Sequence, residues 1–228
     1  MNYNNIIEGK FIKRINRFCA TVDINGVTET VHVKTTGRCE ELFVAGAKVY
    51  LEPSDNPNRK TKYSLIAVYK GDVLVNVDSQ APNFVGAEAL VEGLLLEIGD
   101  VDFIRREMKY GDSRLDIFFM AGERKGFIEI KGVTLEEDGV ARFPDAPTVR
   151  GRKHLLELAK AVVEGYECYV LFVIQMGNTR VFSPHWNKDK AFSETLVEVQ
   201  QNGVEILAYD CTVLPDTLEI RKQIPVQL

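Results

Sequence analysis

Two glycine-led breaks, Gly111-Asp112 and Gly122-Glu123, constrain this chain more than any other feature. They divide the stretch RREMKYGDSRLDIFFMAGERKGFIEIKG, Arg105 to Gly132, into three runs of alternating side chains. Glycine at the first central position is what a two-residue type II′ hairpin needs, because that residue takes a positive φ. The stretch therefore reads as an antiparallel meander. With two-residue loops the register follows by counting: Tyr110 faces Ser113, Glu107 faces Asp116, Ala121 faces Arg124 and Asp116 faces Glu129. Glu107, Asp116 and Glu129 then share one row, and Lys109, Arg114 and Lys131 occupy the next.

Side chains directly opposite lie roughly 4.5–5.5 Å apart at Cβ, where like charges destabilise a sheet. A divalent cation, Mg²⁺ or Mn²⁺, relieves the conflict, since hard ions prefer carboxylate oxygen and water. Acids beside bases suit a metal and the phosphate it acts on, with Glu107, Asp116 and Glu129 as the carboxylates such a metal would meet. Ile104, Met108, Leu115, Ile117, Phe119, Ile128 and Ile130 are expected on the opposite, core face. The plain alternative is a charged face that meets water, and a loop one residue longer would slide the row apart.

Composition bounds the setting. The chain has 228 residues and 45% hydrophobic content, enough for one large or two small domains. No apolar run is long enough to span a membrane, and MNYNNIIEGKF lacks a charged-then-apolar leader, so a cytoplasmic protein is expected. Cys19, Cys39, Cys168 and Cys211 show no metal or disulfide spacing and read as small buried residues. The net charge of −5 hides an asymmetry: residues 1–70 carry 11 basic against 7 acidic side chains, and the remainder 17 against 26. A basic front end suits capture of a polyanion and an acidic remainder suits metal-centred chemistry.

Before the meander, alternating runs at Ile6–Lys13, Arg17–Ile24, Val27–Lys34, Lys48–Leu51, Tyr63–Tyr69 and Val73–Val77 predict a small barrel, of which the OB type is the commonest nucleic-acid binder. Asn25-Gly26 is a type I′ turn signal. Two loops concentrate bases, hydroxyls and an aromatic: Thr35 to Arg38, and Asn56 to Tyr63 with Arg59, Lys60 and Lys62. That mixture suits a phosphate backbone, and also an ordinary solvated loop. Pro82 and its polar neighbours mark a boundary near residue 80, with Asn83 as the expected N-cap of a helix. A loop is expected over Glu136–Ala141. A second helix opens with Thr148 as N-cap and four cationic or potentially cationic groups in its first turns, Arg150, Arg152, Lys153 and His154. Such a helix start opposes its own dipole unless an anion sits there. Tyr169–Gln175 reads as a buried strand, Asp189–Gln200 as a helix and Gly203–Tyr209 as a strand.

Helix, meander, helix and strand, with Asp116 on one hairpin and Glu129-Ile130-Lys131 one strand later, resemble the PD-(D/E)xK nuclease superfamily. TTGRCEEL, NPNRKTKY, EMKYGDSRLD, IEIKGVTL, FPDAPTVRGRKHLLEL and GVEILAYDC, in that order, resemble the sugar fermentation stimulation protein A (SfsA) family. The resemblance implies an α/β (α+β) chain: an OB-like, DNA-binding barrel over residues 1–80 and a PD-(D/E)xK nuclease-like αβββαβ domain with a mixed sheet over 81–228. It implies binding of DNA without marked sequence preference; the expected partner is double-stranded DNA, no membrane partner is expected from the apolar pattern, and the oligomeric state is left open, a homodimer included. Carried over by position, Asp116 and Glu129 would hold a metal with the Ile130 carbonyl as a third ligand, and Glu107 would extend the site. Lys131 would orient the attacking water or stabilise phosphoryl charge, while Arg114, Arg150 and Arg152 would hold the backbone. The resemblance leaves two functions open: Mg²⁺-dependent phosphodiester hydrolysis, or non-catalytic DNA binding by a regulator of sugar (maltose) metabolism. The chain departs from the family pattern at Thr36, where Asn is usual, and at Val149, where Glu is usual.

Overall fold

The computed structural model describes every residue except Thr36, and the departure noted there lies outside the described residues. The N-terminal part forms β1 (Ile7–Arg14), β2 (Cys19–Ile24), β3 (Val27–Val33), β4 (Lys48–Pro53), β5 (Tyr63–Lys70) and β6 (Val73–Asn76). Asn25 and Gly26, with φ of 53° and 83°, make the type I′ turn that joins β2 to β3. β3 then pairs with β5 in parallel, His32 beside Ser64 and Val33 beside Leu65. This closes a five-stranded barrel in the order β1-β2-β3-β5-β4, with β4 returning to β1 and β6 appended to β5. Closure removes the free strand edges that an open sheet would leave. Phe11, Val22, Val31, Val49, Leu51, Leu65 and Val68 fill the barrel. At Gly9 a Cβ would lie 2.6 Å from Val22 Cγ1 and 2.9 Å from the Asp23 carbonyl, so β1 crosses β2 too closely for any side chain.

The remainder begins with α1 (Ala81–Val91) and continues through β7 (Phe103–Tyr110), β8 (Ser113–Ala121), β9 (Arg124–Val133), β10 (Leu135–Glu137), β11 (Val140–Phe143), α2 (Val149–Val163), β12 (Glu167–Ile174), β13 (Val181–Pro184), α3 (Lys190–Gln201), β14 (Val204–Leu214) and β15 (Thr217–Gln223). The main sheet runs β15-β14-β12-β9-β8-β7 and is mixed, with β9, β12 and β14 parallel and the meander antiparallel. Helix α1 covers one face; α2 and α3 cover the other. Lys70 reaches from β5 to Glu136 at 2.8 Å, and Lys34 to the buried Asp78 at 2.6 Å. Gln175 donates to the carbonyls of Asn76 and Asp78, tying the end of β12 to the exit from the barrel. Among the described residues, no helix is long and apolar enough to cross a membrane.

The meander has the expected register: Tyr110 pairs with Ser113 and Ala121 with Arg124. Gly111 and Gly122 take φ of 52° and 60° while neither following residue is left-handed, as type II′ turns require. Four expectations need correction. The apolar residues of the meander do not share one face, because Met108 and Leu115 join the cluster with Leu155 and Leu158 of α2, whereas Ile104, Ile117, Phe119, Ile128 and Ile130 join the α1 cluster. Glu107, left-handed at φ 55°, lies between Ile104 and Met108, and Asp116 lies between Leu115 and Ile117, so both strands turn over at these two residues. The charged face is divided: Glu107, Lys109 and Arg114 meet water, whereas Glu129 is buried beneath α2. Asn83 is not the cap of α1, for Gln80 is, and Asn83 is freed for another contact. Glu136–Ala141 is not a bare loop: β10, β11 and β13 form a small second sheet.

Candidate nuclease-like site

Asp116 sits where the ladder between β8 and β9 ends, one residue past the pair Ile117 and Ile128. Freed from the ladder, its carboxylate turns onto the neighbouring strand. Oδ2 accepts from the Ile130 main-chain N–H at 2.7 Å, and Oδ1 accepts from Asn83 Nδ2 at 2.9 Å. Gly86, one helical turn beyond Asn83, brings α1 this close: a Cβ there would lie 2.7 Å from Ile130 Cδ1. Burial and the nearby charge of Glu129 push the Asp116 carboxyl up to about 6, against the opposing pull of Lys131 and the two hydrogen bonds.

Glu129 lies on β9, in the middle of the sheet, and is 1% exposed. Its Oε1 receives both Lys131 Nζ and His154 Nδ1. Its Oε2 is buried with no hydrogen-bond partner. Burial raises this carboxyl, but Lys131 and His154 together outweigh burial and hold it below the ordinary range. Lys131, two residues on, retains 13% side-chain exposure, so it reaches from the buried acid toward the surface.

The structure thus brings Asp116, Glu129 and Lys131 together and leaves Glu107 out. Among the described residues, no three His, Cys, Asp or Glu side chains converge on one ion position, so the expected row of three carboxylates does not form. Glu107 is exposed on the edge strand β7, in a left-handed conformation that breaks the row. Two carboxylates still suit an ion of the Mg²⁺ type, which keeps several waters and dehydrates reluctantly.

Thr148 caps α2 as expected, accepting from Gly151 N–H at 3.0 Å. Arg150, Arg152 and Lys153 are exposed beyond it, with Lys153 donating to the Asp112 carbonyl at 3.0 Å. Val149 is 83% exposed, so the family's usual Glu there would face solvent. His154 departs from the expected basic turn: it is 6% exposed and turned inward onto Glu129. The signal was available, because His154, Glu157, Leu158 and Ala161 fall at the spacing of one buried helix face. Arg114 is exposed on β8. In the barrel, Arg38, Lys60 and Lys62 are exposed, while Arg59 donates to Ser64 Oγ at 3.1 Å.

A closed β-barrel joined to a mixed sheet that gathers an Asp, a Glu and a Lys defines an α/β protein with an OB-type N-terminal barrel and a helix-flanked C-terminal mixed sheet. Residues 12–77 match the SfsA N-terminal OB domain, and residues 80–217 match the sugar fermentation stimulation protein RE domain. The sugar fermentation stimulation protein homologue of Alkaliphilus oremlandii is 50% identical over 99% of this chain and 98% of its own length. That of Clostridium beijerinckii is 50% identical with both chains fully covered. The chain belongs to the SfsA family. The structure of Pyrococcus furiosus SfsA, in complex with Ca²⁺, superposes with a TM-score of 0.91 at 28% identity, covering 100% of this chain and 98% of the other.

Proposed function

We propose that the protein binds double-stranded DNA without marked sequence preference and hydrolyses its phosphodiester bonds with a divalent ion, Mg²⁺ or Mn²⁺. One observation carries this reading: Glu129 Oε2, a carboxylate oxygen in the interior without a partner. A buried polar atom left without a hydrogen bond is costly even where its charge is paired, and a cation between Glu129 and Asp116 would satisfy it. A relative of the same fold was solved in complex with Ca²⁺, another hard divalent ion, which supports a divalent cation as the ligand.

In this reading Asp116 and Glu129 hold the ion, with the Ile130 carbonyl as a third donor. The ion supplies Lewis-acid stabilisation of charge on the phosphoryl group. Lys131 orients the attacking water or neutralises the phosphoryl oxygens from the exposed end of its side chain. Arg114, Arg150, Arg152 and Lys153 grip the backbone beside the scissile bond. Residues 1–80 act as the capturing domain, with Arg38, Arg59, Lys60 and Lys62 along the strand, and residues 81–228 as the reacting one. Four free cysteines fit a reducing, cytoplasmic setting.

A second reading has one observation in its favour. The Lys131 ion pair already neutralises Glu129 without a metal, as a scaffold kept only for DNA binding, in a regulator of sugar metabolism, would require. Supercoiled plasmid incubated with Mg²⁺ or Mn²⁺ separates the two. Nicking by the parent and none by Asp116→Ala establishes the hydrolase; equal plasmid binding with no cutting by either protein under both ions establishes the regulator.

A further inference from the structure

We propose that His154 is a positioning residue for the ion site: its Nδ1–H holds Glu129 by Oε1, so that Oε2 is presented to the ion and Lys131 is released to serve the phosphate. This rests on the metal-dependent reading above. The two contacts of the imidazole fix its tautomer. At Nε2 it meets Arg150 Nε at 3.5 Å, and a guanidinium nitrogen can only donate, so Nε2 accepts. The ring proton is therefore on Nδ1, the nitrogen that faces Glu129 Oε1.

Lys131 and His154 share one oxygen of Glu129 and leave the other bare. If Lys131 were the only partner, moving it to a substrate phosphate would strip Glu129 of every hydrogen bond inside the protein. His154 removes that obstacle. It is buried and carried on α2, whose start is fixed by the Thr148 cap, so the imidazole cannot follow Lys131 outward. Such partners orient a ligating carboxylate, and losing one typically weakens metal binding about 10–100-fold.

The arrangement makes a stereochemical demand that few substitutions meet. An Asn amide nitrogen overlays the imidazole Nδ1, whereas a Gln amide nitrogen overlays Nε2. His154→Asn should therefore retain the hold on Glu129 and His154→Gln should lose it, although both put a neutral polar side chain on the same helix face.

Mn²⁺ titration of the full-length parent and both variants by calorimetry tests this, with thermal melts to confirm folding. The expected result is parent-like affinity for His154→Asn, within about 3-fold, and about 10–100-fold weaker binding for His154→Gln. Equal affinity in all three proteins, or equal loss in both variants, overturns the positioning role while leaving the metal reading intact. A parent that takes up no Mn²⁺ removes the metal reading, and this inference with it. In the metal-free parent, ¹⁵N shifts of the His154 ring should report the Nδ1–H tautomer, and the Nε2–H tautomer would overturn the proposal. His154→Ala supplies the same comparison should His154→Gln fail to fold: it deletes the donor, and parent-like Mn²⁺ affinity in it sinks the role.

Discussion

Asp116 is bonded to the backbone of the strand beside it: its Oδ2 takes the Ile130 main-chain N–H at 2.7 Å. The bond orients the carboxylate but does not offset its burial next to Glu129, and the carboxyl titrates near 6. A carboxyl raised on folding destabilises the fold wherever it is ionised, so the penalty is full above pH 6 and disappears toward the unfolded value near 4. We expect Asp116→Asn to stabilise the metal-free protein at pH 7.5 by on the order of 1–3 kcal/mol, a rise in Tm of roughly 3–8 °C, while abolishing nicking. The Asn83 amide can turn to keep its bond. Calorimetric melts of both proteins at pH 7.5 and 5 decide the point, for the advantage should shrink at the lower pH.

Lys131 divides between structure and chemistry. We expect Lys131→Ala to fold, because His154 still bonds Glu129, and to lose about 10²–10³-fold in cutting rate while binding plasmid as the parent does. Nicking rates and gel-shift affinities measured on the same preparation would show this. A parallel fall in both would instead make Lys131 a DNA contact.

Much of this was legible before any coordinates, for identifiable reasons. Gly111 and Gly122 fix their turns through positive φ, and two-residue loops leave one register. Asn25-Gly26 did the same for the barrel. What counting could not reveal was the turning over of β7 and β8 at Glu107 and Asp116, since a left-handed Glu has no sequence signature. That local event dismantles the carboxylate row and leaves Glu107 in solvent. His154 was misplaced for another reason: its charged neighbours in sequence suggested a surface turn, while helical spacing put it on the buried face. Asn83 reads as a cap because Pro82 and polar residues precede it, yet its partner, Asp116, is 33 residues away.

Glu136 joins the two domains through Lys70, and its titration gives the junction a pH limit. Burial raises its carboxyl, but the Lys70 ammonium and the Gly139 N–H outweigh that, and it titrates below the ordinary range. A carboxyl depressed on folding contributes stability that is complete above its unfolded pKa and is lost as pH falls through the folded one. We therefore expect the Tm difference between parent and Lys70→Ala to be largest near neutral pH. It should close below about pH 4.5, as Glu136 becomes protonated. A difference that stays constant down to pH 3 would mean that the Lys70 stem, not the ion pair, holds the junction.

Exposed bases in both domains should act on the same duplex, and salt dependence can count them. Each phosphate contact contributes about 0.9 to the slope of log affinity against log salt. Arg152 on α2 and Lys60 in the barrel are both exposed, so neither substitution should disturb folding. We expect Arg152→Ala and Lys60→Ala each to lower the slope by about one, and the double variant by about two, for a 30-base-pair duplex of any sequence. Fluorescence anisotropy across a salt series would measure this. If only Arg152→Ala changes the slope, the barrel does not touch the strand that the C-terminal domain holds, and its basic loops serve another surface.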